Sequence, residues 1–543
     1  MNKFKYFLIA GVAALSLSSC SGDFLDTEPT AETAPAAVFE TSKNVKLAVN
    51  GCARVMMNQY LSSQGFNGEG TIQMWYGNYP GQDFYVNLNG WSLLINQNNH
   101  DTPTSSYTYY PWFYYYKLIS NANSIIVGIQ TSHPTEKLPG ENDFMMAQAK
   151  TFRAYAYLML SQLYCKRWVD SNNGDCPGLV LRLDESIGDL GVCSLADVYK
   201  QIYTDLDEAI ELYKSSKEKS NQQRGKNEFF LPDLDVAYAV YARAALTKQD
   251  WANASKYAKL AREGHPLMSN TALLSNGFCT HNSEWIWGGY SATDQTLYYY
   301  SYHAYIAYNS NAGNVCNYPK CVSKELFEQI PATDVRKQWW LDPTYVDEEG
   351  NVQTYPYTQT TGQANNSTQL AKNTRAAKPD LLSKANVYAY MQWKVRCNDT
   401  PGVGELCFFR ASEMYLIEAE AECMLGNNAA AQAALTALNK TSGRDPEYSC
   451  SKTGSELLTE VKLYRRVELW GEGFDWFDMK RWKDTLIRHN ASEGGNFLAT
   501  LAVTIKPEEK NEWRFMIPTR ETDYNKAAKD GVITALGSGS LPE

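Results

Sequence analysis

The stretch Val461-Lys-Leu-Tyr-Arg-Arg-Val-Glu-Leu-Trp-Gly-Glu-Gly-Phe-Asp-Trp-Phe-Asp-Met-Lys-Arg-Trp482 decides how the rest of the chain is read. Leu457, Val461, Tyr464 and Glu468 recur at helical spacing and predict a helix. Gly471 and Gly473 end it, because glycine turns a backbone sharply at little steric cost. A second helix follows, with Phe474, Phe477 and Trp482 on roughly one side. Both charge signs crowd among these rings, which predicts ion pairs at the border of a core. Arg465, Arg466, Asp475 and Asp478 are expected to form one partly buried network. The span shows no nucleophile, metal-ligand set or phosphate loop, so it reads as a structural helix-turn-helix.

The length of 543 residues allows a large core. Aromatic residues reach 13%, with 37 tyrosines and 14 tryptophans, and a net charge of -10 argues against nucleic acid as a partner. Lys3 and Lys5 precede an apolar run from Phe7 to Leu17, too short to span a bilayer. With Leu17-Ser18-Ser19-Cys20 after it, this reads as a signal peptide over residues 1–19. A cysteine directly after small residues resembles a lipobox, which makes Cys20 the lipidated first residue of the mature chain. Several acyl chains anchor firmly, at about 0.8 kcal/mol per buried methylene. Residues 20–40 read as lipidated N-terminus and tether. Without Cys20, eleven of the twelve cysteines remain, so at least one thiol is unpaired. Cys316 with Cys321, and Cys176 with Cys193, are near enough in sequence to pair. The six histidines do not cluster with the cysteines, and no metal or cofactor is called.

Helices dominate the body. Ser42 is placed as a cap, ahead of Val45, Ala48, Cys52 and Val55 on one face. Tyr115, Leu118, Ala122, Ile125 and Ile129 form another stripe, and Ser194 to Asp197 resembles a capping box. Residues 236–263 and 409–439 each read as a helix, a short turn and a returning helix. The pairs resemble tetratricopeptide hairpins, and 152–164 with 197–213 suggests a third, its loop expanded by 165–195. Hairpins of this kind bury their faces only against neighbours, which implies a solenoid. Residues 62–111 and 265–400 lack that periodicity and are rich in Gly, Asn, Thr, Tyr and Trp. Leu501 to Ile505 and Trp513 to Ile517 look like short strands.

Arg465 to Trp482 resembles the C-terminal signature of the SusD/RagB family, with Tyr464-Arg465 where members usually carry Glu-Arg. The start after Cys20, Asp23-Phe24-Leu25-Asp26 ahead of Pro29, is similar to the family's usual opening, and Phe515 to Asn525 to its close. The resemblance implies an all-α superhelix of tetratricopeptide-type hairpins with long irregular loops and a few short strands. It implies one SusD-like domain over 41–543, with ligand-binding insertions at about 62–111 and 265–400. It further implies a surface-exposed outer-membrane lipoprotein, not an enzyme, that captures a glycan. Delivery to a SusC-like TonB-dependent transporter goes with it.

A sugar site needs flat rings for pyranose faces and amides or charged groups for hydroxyls. The two irregular regions supply both types. Trp75 and Trp287 are expected to face one shared site, with Asn78, Trp91, Tyr290 and Asn314 near it. Trp285 and Trp251, inside apolar patterns, are assigned to the core, and so is the run Tyr107 to Tyr116. Two other classes stay open from residues alone. An all-helical secreted glycoside hydrolase needs two carboxylates about 5–5.5 or 6.5–9.5 Å apart. Among 60 acids only Glu468, Glu472, Asp475 and Asp478 approach a cluster, with cations beside them. The other class is a tetratricopeptide adaptor that binds only protein. Incubation with oligosaccharides separates the three: cleavage, binding without cleavage, or neither.

Overall fold

From residue 106 onward, long helices whose apolar positions recur at three and four pack against their chain neighbours. The computed structural model describes residues 35–61, 65–291 and 300–534. The signal peptide and the Cys20 lipidation site lie outside the described residues. The main helices are α1 (Ser42–Val55), α2 (Ser106–Ser132), α3 (Glu141–Tyr164), α4 (Leu195–Ser220), α5 (Leu234–Thr247), α6 (Trp251–Ala261), α7 (Ala411–Met424), α8 (Asn428–Thr436), α9 (Gly454–Glu468) and α10 (Asp475–Trp482). α3 pairs with α4, α5 with α6 and α7 with α8, the three expected hairpins. α4 leans on α5, α6 on α7 and α9 on α7, so the hairpins stack into an all-α superhelix. Ala237, Ala244, Ala254, Ala258 and Ala261 are fully buried at these contacts, where small side chains let helix axes approach. None of the described helices is long and apolar enough to cross a membrane.

Local signals set the helix ends. Ser194 caps α4 by accepting from the Asp197 amide at 3.1 Å, but Asp197 turns its carboxylate to the Ser194 hydroxyl at 2.6 Å, so the reciprocal half of a capping box is missing. Thr41, not Ser42, caps α1. Ser42 is the first helical residue and donates its hydroxyl to Glu141 at 2.5 Å. The eleven cysteines among the described residues are all free thiols. Cys316 and Cys321 donate instead to the carbonyls of Ser310 and Pro319, and Cys193 to that of Leu179.

Short strands tie the irregular regions to the helices. β1 (Phe84–Val86) pairs antiparallel with β3 (Lys320–Val322), and β2 (Trp285–Gly289) with β4 (Leu406–Arg410), which runs straight into α7. Of the two strand-like runs near the end of the chain, only Thr504–Ile505 forms a ladder, with Leu486–Ile487. Trp513 instead closes a left-handed turn in which Lys510 to Trp513 all have positive φ.

The α9–α10 turn is the hub that the sequence pointed to. Gly471 and Gly473 sit at φ 80° and 89°. A Cβ on Gly473 would stand 2.7 Å from the Gln73 Cα, so glycine is needed for the π-helical stretch Ile72–Asn78 to lie on this turn. The expected four-residue network is instead split into two separate groups. Arg465 binds Asp478 at 2.6 Å, while Arg466 binds Asp83 at 2.7 Å and Asp475 accepts from the Asp83 amide at 2.7 Å. The larger network lies one turn away, on Glu468. Its Oε1 accepts from Arg410 at 2.7 Å and Arg444 at 3.2 Å, its Oε2 from Arg336 at 2.8 Å and Arg444 at 3.2 Å. Arg410 also binds Glu284 and Glu472 at 2.7 Å, and Lys394 binds Glu472 at 2.6 Å. Burial opposes the Glu468 charge, yet the three guanidiniums hold its carboxyl well below the usual range.

Candidate functional site

The glycine at 65 lets the chain after α1 fold down onto a tryptophan. Gly65 has φ 98°, and a Cβ there would meet the Trp75 ring at 2.2 Å. Trp75 comes from the π-helical stretch, Trp91 from the single turn Asn89–Trp91, Tyr107 from the first turn of α2, and Tyr305 from the short helix Tyr302–Ile306. Their rings meet: Trp75 lies 4.8 Å from Trp91, 5.7 Å from Tyr107 and 5.6 Å from Tyr305. Tyr300 packs on Tyr305 at 5.9 Å and Tyr79 on Trp91 at 5.9 Å. Trp75 and Tyr305 are each 2% exposed, whereas Trp91, Tyr107 and Tyr300 are half-buried and form a rim above them.

Three buried polar atoms in this cluster have no hydrogen-bond partner among the described residues: Trp75 Nε1, Tyr305 OH and Asn67 Oδ1. Asn67 is held by its other end, since its Nδ2 donates to the Tyr300 carbonyl at 2.6 Å. An unsatisfied buried donor costs about 1–3 kcal/mol, so such groups point to where a hydroxyl would be accepted. Burial pushes the Tyr305 phenol far up, so it stays neutral and can donate. Half-open rings around neutral donors and acceptors suit an uncharged polyhydroxylated ligand.

A second concavity lies where the end of α1 meets the end of β2. Asn50, Ala53, Arg54, Met57 and Asn58 of α1 and its following turn, with Phe230 and Tyr290, line a cavity of about 180 Å³. Tyr290 is 46% exposed and packs on Phe230 at 6.2 Å.

The structure therefore divides the expected site residues. Trp75 and Trp91 do come together, but Trp75 is covered and supports the half-buried Trp91. The expectation that Trp75 and Trp287 face one site is corrected. Trp287 is fully buried, its Nε1 donates to the Phe230 carbonyl at 3.0 Å, and its ring packs on Phe152, Tyr155, Phe408 and Phe409. It shares none of these ring neighbours with Trp75. Asn78 is also structural: fully buried, it donates to the Gly471 carbonyl at 2.7 Å and accepts from the Gly473 amide at 2.8 Å, clamping the hub turn. Asn314 lies half-buried on the short helix Gly313–Cys316, where its carbonyl accepts from Lys320 at 2.7 Å. Tyr110, Trp112, Tyr114 and Tyr115 are buried as expected, and Tyr107 is the member of that run which reaches the rim. Arg54, Asn50 and Phe230 were missed, because nothing local marks an outer helix position as facing a distant strand end.

The comparisons agree with this architecture. The model of the SusD family matches residues 249–533, and one described as starch-binding associating with outer membrane matches residues 23–246. The chain belongs to the SusD family. Among solved structures it is similar to a SusD-like carbohydrate binding protein from Bacteroides vulgatus, at 20% identity and a TM-score of 0.71, covering 91% of this chain and 99% of that one. A SusD superfamily protein from Bacteroides thetaiotaomicron matches at 19% identity and a TM-score of 0.68, covering 91% and 100%. Another from Bacteroides fragilis matches at 17% identity and a TM-score of 0.61, again covering 91% and 100%. No curated protein matches the chain.

Proposed function

We propose that this protein binds a glycan at the outer membrane and passes it to a SusC-like TonB-dependent transporter without cleaving it. The observation that carries the reading is the half-buried Trp91 set on a covered Trp75, with three buried polar atoms beneath the rim that have no partner among the described residues. Trp91, Tyr107 and Tyr300 offer stacking faces, and Trp75, Tyr305 and Asn67 fix them from below. The family match and the carbohydrate-binding relative support the ligand class. No catalytic step is included. The acids nearest a cluster in the sequence are engaged by cations or by main-chain amides, and Glu468 in particular is kept ionised by arginines, which disables it as a general acid. Residues 41–543 form one ligand-binding body, held to the membrane through the lipidated Cys20.

A glycan array probed with residues 21–543 tests the ligand class. Retention of oligosaccharides that remain intact supports the reading. Release of shorter products, or no retention of any glycan, rejects it. Anchoring is tested by Cys20→Ala, which is expected to move the protein out of the membrane fraction or stall its maturation. A variant that still sediments wholly with outer membrane and takes up labelled palmitate removes the lipid anchor.

A further inference from the structure

The cavity beside Tyr290 is built from a rigid seam. Gly289, the last residue of β2, lies under α1 so closely that a Cβ there would meet the Met57 Sδ at 2.2 Å. The Phe229–Phe230 turn is stitched to the same strand. The Gly288 amide donates to the Phe229 carbonyl at 3.2 Å, Trp287 Nε1 donates to the Phe230 carbonyl at 3.0 Å, and Arg224 donates to the Ile286 carbonyl at 3.1 Å. Three chain segments are thus locked together before any ligand arrives, and the lining is preorganised.

Its chemistry differs from that of the aromatic cluster. Among the described residues the lining holds one cation, Arg54, no carboxylate, and the amides of Asn50 and Asn58. Arg54 is exposed in the last turn of α1. Lys46, two turns earlier, is already paired with Glu228 at 2.6 Å, so the positive charge turned to this cavity is that of Arg54. The Asn50 Oδ1 is buried and has no partner among the described residues, which suits a hydroxyl donor. Tyr290 backs onto Phe230 and leaves its other side open. A guanidinium binds planar oxyanions through paired N–H donors, and an open phenol ring takes the C–H face of a sugar.

We propose that this cavity is a second carbohydrate subsite that selects an anionic sugar residue, carboxylated or sulfated, through Arg54, with Tyr290 as its stacking platform. The inference rests on the glycan-binding reading above and adds a charge preference to it.

The test is calorimetry on residues 21–543 with three probes: oligogalacturonate, a sulfated galactan oligosaccharide and a neutral galacto-oligosaccharide. Arg54→Gln is expected to weaken one or both charged probes by about tenfold or more and to leave the neutral one unchanged. The charged-probe affinity of the parent should also fall as NaCl rises, because the contact is exposed to screening. Whichever charged probe responds identifies carboxylate or sulfate. Tyr290→Ala should weaken the same probe. Equal affinities for all three probes, charged binding untouched by Arg54→Gln, or no charged binding at all would overturn the subsite. Retention of charged glycans on the array that persists in Arg54→Gln and disappears in Trp91→Ala would leave the glycan-binding reading standing while this one falls.

Discussion

The ionic hub around Glu468 and the aromatic cluster around Trp91 both crowd polar atoms and large rings together, and they are finished differently. At the hub, both oxygens of Glu468 are taken by three guanidiniums, and Arg410 adds Glu284 and Glu472. The residues involved are almost wholly buried. At the cluster, three polar atoms are left without a partner among the described residues and three rings stay half-buried. Two donors at the hub, Arg444 Nη1 and Asn439 Nδ2, also lack a partner among the described residues, but they are sealed in the core, and a site closed in this way has little left to offer a ligand. One that is left partly unmatched at a half-open rim has both contact area and hydrogen-bonding capacity to give. Stability is therefore assigned to the hub and recognition to the cluster.

The largest effect expected from this division is at the hub. Glu468→Gln removes the charge that three buried arginines share, and breaking such a group costs about 3–5 kcal/mol. Chemical denaturation should show that loss, while the folded fraction keeps the parent's glycan affinity. Lost affinity at unchanged stability would place the hub in the ligand site.

Two glycines sharpen the contrast at a smaller scale. Gly65→Ala and Gly473→Ala both force a side chain into a positive-φ position against close neighbours, at 2.2 Å from Trp75 and 2.7 Å from Gln73. Each should lower stability by about 1–3 kcal/mol. Only Gly65→Ala is expected to weaken glycan binding as well, since its loop covers the ring that supports Trp91. Equal effects of the two on calorimetric affinity would erase the distinction.

The smallest effect is a pH dependence at the edge of the hub. Burial, and then the neighbouring Asp83 carboxylate, raise Asp475 from 3.8 to about 7. The folded state thus binds the proton more tightly than the unfolded chain does. That contribution is fully present below about pH 3.8 and is lost as pH rises through about 7. Asp475→Asn keeps an acceptor for the Asp83 amide and cannot ionise. Its melting temperature, relative to the parent, should therefore rise between about pH 4 and pH 7. Parallel curves for parent and variant would show that Asp475 titrates normally.

The hairpins and the glycine turn were legible in the sequence because their signals are local. Apolar spacing along 236–263 and 409–439, and Gly471 with Gly473, act within a few residues of where they are read. The hub was legible only by half. Arg336, Arg410 and Arg444 reach Glu468 from 24 to 132 residues away, and no spacing rule links them. Trp75 and Trp287 misled for a related reason. A tryptophan in an irregular segment reads the same whether it faces solvent or is covered by a remote element, and here Gly65 covers one and the Phe230 turn the other. Asn78 looked like a sugar-binding amide, but both ends of its amide are used by the main chain of the hub turn.

The central claim is that recognition sits at the Trp91 rim and not on the buried tryptophans. Calorimetry with a glycan retained on the array tests it most directly, comparing Trp91→Ala with Trp287→Phe. Trp91→Ala is expected to lose about 2 kcal/mol of binding free energy with little change in melting temperature. Trp287→Phe is expected to melt lower and bind as the parent does. The reverse pattern, with Trp91→Ala binding normally and folded Trp287→Phe binding poorly, would contradict the account.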